Sequence, residues 1–266
     1  MQRIDGHPSV RARSLLPREH GTYGELAFPL LTALALARID PASIALVVAF
    51  VTAFLAHEPM LLLFFRRGGR PSVELLRRAR RRLVVLAGVG LVAFLFGLAA
   101  MHATARIFLL VPIALGALLA LVVAARNERT ALGEVFAAAA LASCSLPIAI
   151  EGGLAVSRAF AFFAIWSVGF SLSTLAVRGV IATARGEGAR ERRQEVAFAA
   201  SFAWVVTIVQ AGLHRLPEIA PFALAPFALV SIALALFPPH ARHLRTIGWL
   251  LIGASASTTA ILIAAR

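Results

Sequence analysis

The sequence predicts an all-α polytopic membrane protein with nine transmembrane helices. Sixty per cent of its 266 residues are hydrophobic and the mean hydropathy is +0.85, whereas soluble domains have an apolar share of about 45–50%. The apolar residues are grouped into runs close to the length of about 20 residues that crosses a bilayer as a helix. Short charged connections separate these runs, as expected for a chain that crosses a membrane repeatedly.

The predicted spans follow one another with little sequence between them. They are residues 21–37, 42–65, 83–101, 105–125, 131–150, 158–178, 195–213, 219–237 and 246–265. The first is short and contains Glu25, and it ends before Pro41, because a residue that precedes proline disfavours the helical conformation. Residues 1–20 form a cytoplasmic basic leader, and residues 21–266 form a single nine-helix transmembrane domain.

The distribution of arginine predicts the orientation of the spans. All 26 basic residues are Arg, and with nine spans 21 fall on one side and five on the other. Because arginine is enriched in cytoplasmic loops, we expect the N-terminus to be cytoplasmic and the C-terminus to lie outside. The net charge of +13 then reflects membrane topology and anionic lipid headgroups, and nucleic acid is not an expected partner.

Two cytoplasmic connections are long and basic, residues 66–82 and residues 182–194. In the first, Ser72 is a suitable N-cap for a short basic helix lying on the headgroups. The second contains glycines at positions 186 and 188, which make it flexible enough to cover a pocket. Loop length and charge on this face make it the expected place for function.

Several ionisable residues fall within the spans, where they usually face a partner or an interior cavity. Glu25 and Glu134 each lie about one helical turn inside a span. His57 and Glu58 precede Pro59, which interrupts the second span and is expected to kink it. Two interpretations fit the His57–Glu58 pair equally: a kinked helix lining a pocket, and purely structural contacts with neighbouring helices.

Residues 126–134, RNERTALGE, link the fourth and fifth spans. Asn127 or Thr130 can cap the fifth span, and Arg126 and Arg129 flank its N-terminus, an arrangement that suits a phosphate group. The alternative is an ordinary capped basic loop. Further along, Arg178 and Arg185 form a second arginine pair at the same face.

Three segments resemble the YwiC-like family of bacterial membrane proteins: LPREHG at 16–21, RNERTALGE at 126–134 and VRGVI at 177–181. The resemblance implies a multi-pass protein of the bacterial cytoplasmic membrane, but no particular reaction. Where that family usually has an aromatic residue followed by Ala-Met after His-Gly, this chain has Thr-Tyr-Gly-Glu at 22–25.

The span order and the two long connections also resemble the UbiA-type intramembrane prenyltransferases. That family holds magnesium on a diphosphate with Asp-rich motifs near those connections, but the only aspartates here are Asp5 and Asp40. Magnesium-dependent prenyl transfer is therefore not supported, and no cofactor is identified. The histidines and glutamates also lack metal-ligand spacing. Cys144 is the only cysteine, so no intrachain disulfide is possible.

Together these features predict a cytoplasm-facing cavity that binds an anionic lipid or isoprenoid-type ligand, within a protein surrounded by membrane lipids. The candidate acid–base residues are His20, His57, Glu58 and Glu134. The candidate headgroup ligands are Arg18, Arg126, Arg129, Arg178 and Arg185. The expected buried polar residues are Glu19, Glu25 and Asn127. Three alternatives stay open: a UbiA-like group transferase without the magnesium motifs, a proton-coupled transporter of small solutes, and a non-catalytic membrane assembly protein.

Overall fold

A computed structural model describes residues 20–65, 72–127, 130–186, 188–240 and 243–265, and these ranges are helical without any strand. The helices are α1 (His20–Leu36), α2 (Pro41–Phe65), α3 (Val73–Ala100), α4 (Ala103–Phe108), α5 (Leu110–Ala124), α6 (Ala131–Ser143), α7 (Ser145–Glu151), α8 (Val156–Arg185), α9 (Ala189–Gly212), α10 (Ala220–Leu236) and α11 (Leu244–Ala264). The all-α prediction is confirmed for these residues.

Two pairs of helices, α4–α5 and α6–α7, each form one broken rod. The breaks fall at Leu109 and Cys144, whose N–H groups donate to carbonyls three residues back, at 3.2 and 3.3 Å. In both rods a proline follows three residues later, Pro112 or Pro147. A proline has no N–H for the carbonyl four residues earlier and crowds it sterically, which explains why both helices break at the same spacing.

Counting each broken rod once, the described residues form nine helical rods that coincide with the nine predicted apolar runs. Seven rods are long and apolar enough to cross a membrane. The other two, α1 and α10, have 17 residues each. This architecture is that of a multi-pass integral membrane protein.

The rods pack around α1, α8 and α10. Helix α1 contacts α2, α6, α7, α8 and α11, whereas α10 contacts α8, α9 and α11. Aromatic rings fill the space between α1, α8 and α10: Trp166 stacks with Phe28 and Phe170 and meets Phe227 edge-on. Trp166 and Phe227 are completely buried, so the middle of the bundle is a packed apolar core.

Side-chain contacts define a first end of the bundle, which we call the basic end. Glu134 in the first turn of α6 pairs with Arg178 near the end of α8. At the same end Arg193, at the start of α9, donates to the carbonyls of Ala235 and Leu236 at the end of α10. The described arginines at this end are Arg77, Arg78, Arg80, Arg81, Arg82, Arg126, Arg178, Arg185, Arg190, Arg192, Arg193 and Arg245.

The other end, the opposite end, is joined by backbone carbonyls. The Arg38 N–H donates to the Gly152 carbonyl over 2.9 Å, which joins the ends of α1 and α7. Arg158 donates to the Ala265 carbonyl over 2.8 Å, which joins the start of α8 to the end of α11. The described arginines here are Arg38, Arg106, Arg158 and Arg215. The described arginines therefore concentrate at one end of the bundle.

The structure differs from the prediction in the two long connections. Ser72 does cap a helix, its Oγ accepting the Leu75 N–H over 3.2 Å. That helix is α3 itself, which continues without interruption into the third span. The prediction of a separate surface helix within residues 66–82 is therefore wrong. The reason is local: residues 73–87 contain neither Gly nor Pro and are rich in Leu, Arg and Ala, which favour helix.

The second connection is shorter than predicted because both flanking helices extend into residues 182–194. Helix α8 ends at Arg185 and α9 starts at Ala189. Gly186 and Gly188 adopt left-handed backbone with φ of 72° and 53°, a conformation that glycine reaches without steric cost. The predicted flexible cover is therefore reduced to residues 186–188, of which position 187 lies outside the described residues.

Candidate functional site

The N-terminus of α6 is capped by Thr130, one of the two residues predicted for that role. Thr130 Oγ1 accepts the Gly133 N–H over 3.1 Å and donates to the Asn127 carbonyl over 2.7 Å. Asn127 therefore contributes its backbone to the turn, and its side chain is exposed instead of buried as predicted. The first-turn N–H groups of a helix point out of its N-terminus and favour negative charge there.

Arg126 sits at the corner between α5 and α6 in a strained conformation. Its φ is 59°, and its N–H and that of Asn127 donate to the carbonyls of Val123 and Val122, both over 3.0 Å. This is the Schellman arrangement, in which glycine usually takes the left-handed position; a larger residue there costs about 1 kcal/mol. The corner is thus closed by hydrogen bonds, with the Arg126 side chain exposed.

Glu134 and Arg178 form an ion pair between α6 and α8. Arg178 Nη1 lies 3.0 Å from Glu134 Oε1, and the side chains are 31% and 38% exposed. The sequence identified both residues as site candidates, and the packing of α6 on α8 brings them together. A guanidinium has five N–H donors, and Arg178 makes a further interaction besides the one with Glu134.

Arg185 extends the positive charge of α8 outwards. It is seven residues beyond Arg178 on the same helix, so it lies on nearly the same face about 10 Å farther along the axis. Its side chain is exposed. Arg126, Arg178 and Arg185 therefore belong to the basic end, with Glu134 as an acidic partner.

The remaining described candidates lie on α1 and α2. Tyr23 and Phe54 meet edge-on with their centroids 5.1 Å apart, which places Glu25 and His57 on helices in contact. Glu25 and His57 both interact with neighbouring groups. Glu58 is partly buried and makes no hydrogen bond or ion pair with any described residue.

The candidates form two groups instead of one site. Helix α2, which carries His57 and Glu58, packs on α1, α3 and α7, whereas α6 and α8 pack on each other and on α1. Helix α1 therefore lies between the His57–Glu58 group and the Glu134–Arg178 pair. Arg18, Glu19 and Arg129 lie outside the described residues, as does the side chain of His20, the first residue of α1.

No group of three or more His, Cys, Asp or Glu side chains among the described residues is arranged to hold a metal ion. The Glu134 carboxylate is instead paired with Arg178.

Two adjoining cavities at the opposite end were not foreseen from the sequence. One, of about 460 Å³, lies between α9 and α10; the other, of about 850 Å³, reaches α8 and the end of α11. Both are lined by His214, Glu218 and Phe222. The available signal was the short segment HRLPE at residues 214–218, which is unusually rich in titratable residues for a connection at that end.

A buried carboxylate, Glu151, was also missed. Its side chain is 2% exposed; Oε2 accepts the His102 N–H over 3.0 Å, and Oε1 lies 2.9 Å from His102 Nδ1. Glu151 thereby fastens the end of α7 to the start of α4. Its position just after the fifth predicted span was evident from the sequence, but its partner, 49 residues away, was not.

Comparison with known proteins gives one match. No curated protein and no solved structure matches the chain. The family model described as YwiC-like protein matches residues 16–150, a stretch that runs through α1 to α7 and contains the Arg126 corner and Glu134. Because this match covers half of the 266 residues, the chain belongs to the YwiC-like family.

Proposed function

We propose that this integral membrane protein binds the anionic headgroup of a lipid or isoprenoid-type ligand at its basic end. The observation that carries the proposal is the Arg178–Glu134 ion pair, which holds a guanidinium beside the first turn of α6. A helix N-terminus favours an anion, and arginine is the preferred bidentate partner of phosphate oxygens. In this proposal all nine rods cross the bacterial cytoplasmic membrane, and the basic end faces the cytoplasm.

The residues of this end have different tasks in the proposal. Arg178 contacts the headgroup, and Glu134 is a positioning residue that orients the guanidinium. Arg126 and Arg185, both exposed, raise the local positive potential, which attracts anionic headgroups. Binding is the activity that these contacts support. A group-transfer step would require an acid–base residue, for which His20 is the candidate because α1 packs against both α6 and α8.

The experiment compares bound lipid in Arg178→Gln and wild-type protein after purification in mild detergent. We expect Arg178→Gln to bind anionic lipid about tenfold more weakly at the basic end, because a hydrogen bond to a charged group contributes about 1.5–3 kcal/mol, so its total lipid content should fall below that of the wild type. Glu134→Gln should reduce retention less, since the guanidinium keeps its charge. Quantitative lipid mass spectrometry gives the ratio of phospholipid to protein.

Arg190→Gln is the matched control, because Arg190 is exposed at the same end and its loss changes the net charge equally. Its lipid content should equal that of the wild type, and elution volume and thermal unfolding verify that each variant is folded. Equal lipid content in Arg178→Gln and wild type would refute the proposal.

A second candidate function, proton-coupled transport, is favoured by Glu58. A partly buried carboxylate inside a membrane helix, with no partner among the described residues, is a typical proton carrier. We expect Glu58→Gln to abolish proton flux into proteoliposomes driven by a potassium-valinomycin potential and followed with an internal pH-sensitive dye. Glu74→Gln, at an exposed position in the first turn of α3, should leave the flux unchanged. Wild-type vesicles that take up protons no faster than empty ones, with each of a panel of small solutes present, would contradict this function.

A further inference from the structure

We propose a lipid-binding site at the opposite end of the bundle, which takes an amphiphile with an apolar chain and an anionic phosphate headgroup. The site consists of the two adjoining cavities, which we call the slot (about 460 Å³) and the mouth (about 850 Å³). Both volumes fall in the range of about 300–1,000 Å³ that is typical of small-molecule sites. The ligand comes from the leaflet away from the basic end, so the site is independent of Arg178.

The slot suits a hydrocarbon chain. Its walls are formed by Trp204 and Ile208 of α9 and by Pro221 and Phe222 of α10. The Trp204 indole N–H donates to the Pro221 carbonyl over 3.1 Å, which satisfies the one polar group of the ring and fixes its orientation. Phe222 is 66% exposed, so the apolar wall of the slot continues onto the outer surface of the bundle.

The mouth suits an anionic headgroup. It is lined by Arg158, His214, Arg215 and Glu218, so its lining includes two arginines and one glutamate. Arg158 is held in place, since its Nη2 donates to the Ala265 carbonyl over 2.8 Å and its guanidinium lies 5.6 Å from the centre of the Phe162 ring. Arg215 is exposed. The excess of positive charge favours a phosphate over a neutral head.

His214 connects the two cavities. It has a φ of 56°, and its own N–H and that of Arg215 donate to the carbonyls of Ala211 and Gln210, both over 2.9 Å. A histidine therefore occupies the left-handed position after α9, where glycine is less strained. His214 lines both the slot and the mouth, and strained residues of this kind often belong to binding sites.

The slot and the mouth share His214, Glu218 and Phe222, so a single molecule can occupy both. Its chain would lie between α9 and α10 and its phosphate between Arg158 and Arg215. This is the orientation of a phospholipid at the edge of a bilayer. The geometry thus points to an anionic phospholipid of the adjacent leaflet and not to a water-soluble anion.

The test uses brominated lipids, which quench the fluorescence of tryptophan on contact. Full-length protein is titrated with dibromo-phosphatidylglycerol or dibromo-phosphatidylcholine in micelles, and the signal of Trp204 is obtained by difference from Trp204→Phe. We expect about fivefold stronger quenching by the anionic lipid, as one additional arginine contact with an anionic headgroup implies. Arg215→Gln should remove this preference.

Gly212→Leu tests the slot without straining the fold. Gly212 lines the slot, and a Cβ at this position meets no atom within 4 Å, so leucine fills the space and also favours helix. This variant should lose the quenching of Trp204 by both lipids. Arg38→Gln is the control for charge, because Arg38 is an exposed arginine of the same end outside both cavities.

The outcomes separate clearly. The site is supported if the preference for the anionic lipid is lost in Arg215→Gln and kept in Arg38→Gln. It also requires that Gly212→Leu lose the quenching of Trp204. Equal quenching by the two lipids in the wild type, or full quenching in Gly212→Leu, overturns it. Neither result depends on Arg178, so the outcome is independent of the lipid content measured for the basic end.

Discussion

Glu151 shows how one side chain determines a local contact. Its carboxylate accepts the backbone N–H of His102 at the start of α4 and also lies 2.9 Å from the His102 ring. The carboxylate is almost completely buried, whereas the His102 side chain is 80% exposed. A buried carboxyl group requires hydrogen-bond partners, and here His102 supplies both of them, its backbone N–H and its exposed ring.

We therefore expect Glu151→Ala to lower the free energy of unfolding by about 1–3 kcal/mol, because it removes both hydrogen bonds at a buried position. His102→Ala should cost less than about 1 kcal/mol, since it keeps the backbone bond and loses only the contact between an exposed ring and the carboxylate. Thermal unfolding in detergent compares the two variants. Equal destabilisation would mean that the His102 ring is the important partner.

At the scale of elements, α2 and α3 form a hairpin that depends on glycines of α3. A Cβ at Gly90 would lie 2.6 Å from Thr52 Oγ1, and one at Gly97 would lie 3.1 Å from the Leu46 side chain. Small residues permit such close approach of membrane helices. In the described ranges α2 is the helix on which α3 packs most extensively, so this contact is the main attachment of α3 to the bundle.

Gly90→Leu should separate α3 from α2 and destabilise the protein by about 1–3 kcal/mol, the usual cost of overpacking. Gly88→Leu is the matched control, since a Cβ at position 88 meets nothing within 4 Å. Thermal unfolding in detergent distinguishes the variants. If both variants unfolded at the same temperature, the close contact at Gly90 would be unimportant for stability.

At the scale of the whole molecule, alternating rods separate the basic end from the opposite end. Seven rods have the length and composition of membrane spans, and α1 and α10 have 17 residues each, or about 25 Å at 1.5 Å per residue. A hydrophobic stretch slightly shorter than the bilayer is accommodated by local thinning or by flanking residues. We therefore expect both short rods to cross.

Reporter fusions test this topology. With nine spans, a phosphatase fused to the C-terminus should be active outside the cytoplasm, and one fused after Asn127 at the basic end should be inactive. Green fluorescent protein at the same positions should give the reverse result. If either α1 or α10 alone failed to cross, the N- and C-termini would lie on the same side of the membrane.

The sequence by itself determined the helical class, the order of the nine apolar rods and the caps Ser72 and Thr130. These features depend on local properties: apolar length, helix propensity and a hydroxyl next to a first turn. The concentration of arginine at one end also followed from the sequence, because consecutive rods reverse direction. The extension of α3 through residues 73–82 was missed, although the absence of Gly and Pro there was a local signal.

Only the tertiary structure decided which polar groups meet. Glu134 pairs with Arg178, and Glu151 with His102, across 44 and 49 residues of sequence. Helix α1 separates the Glu134–Arg178 pair from Glu58, and the cavities lie around His214, at the end where no cavity was expected. Such contacts depend on how the rods rotate and pack against one another, and hydrophobic periodicity within one rod carries little information about its neighbours when nearly every residue is apolar.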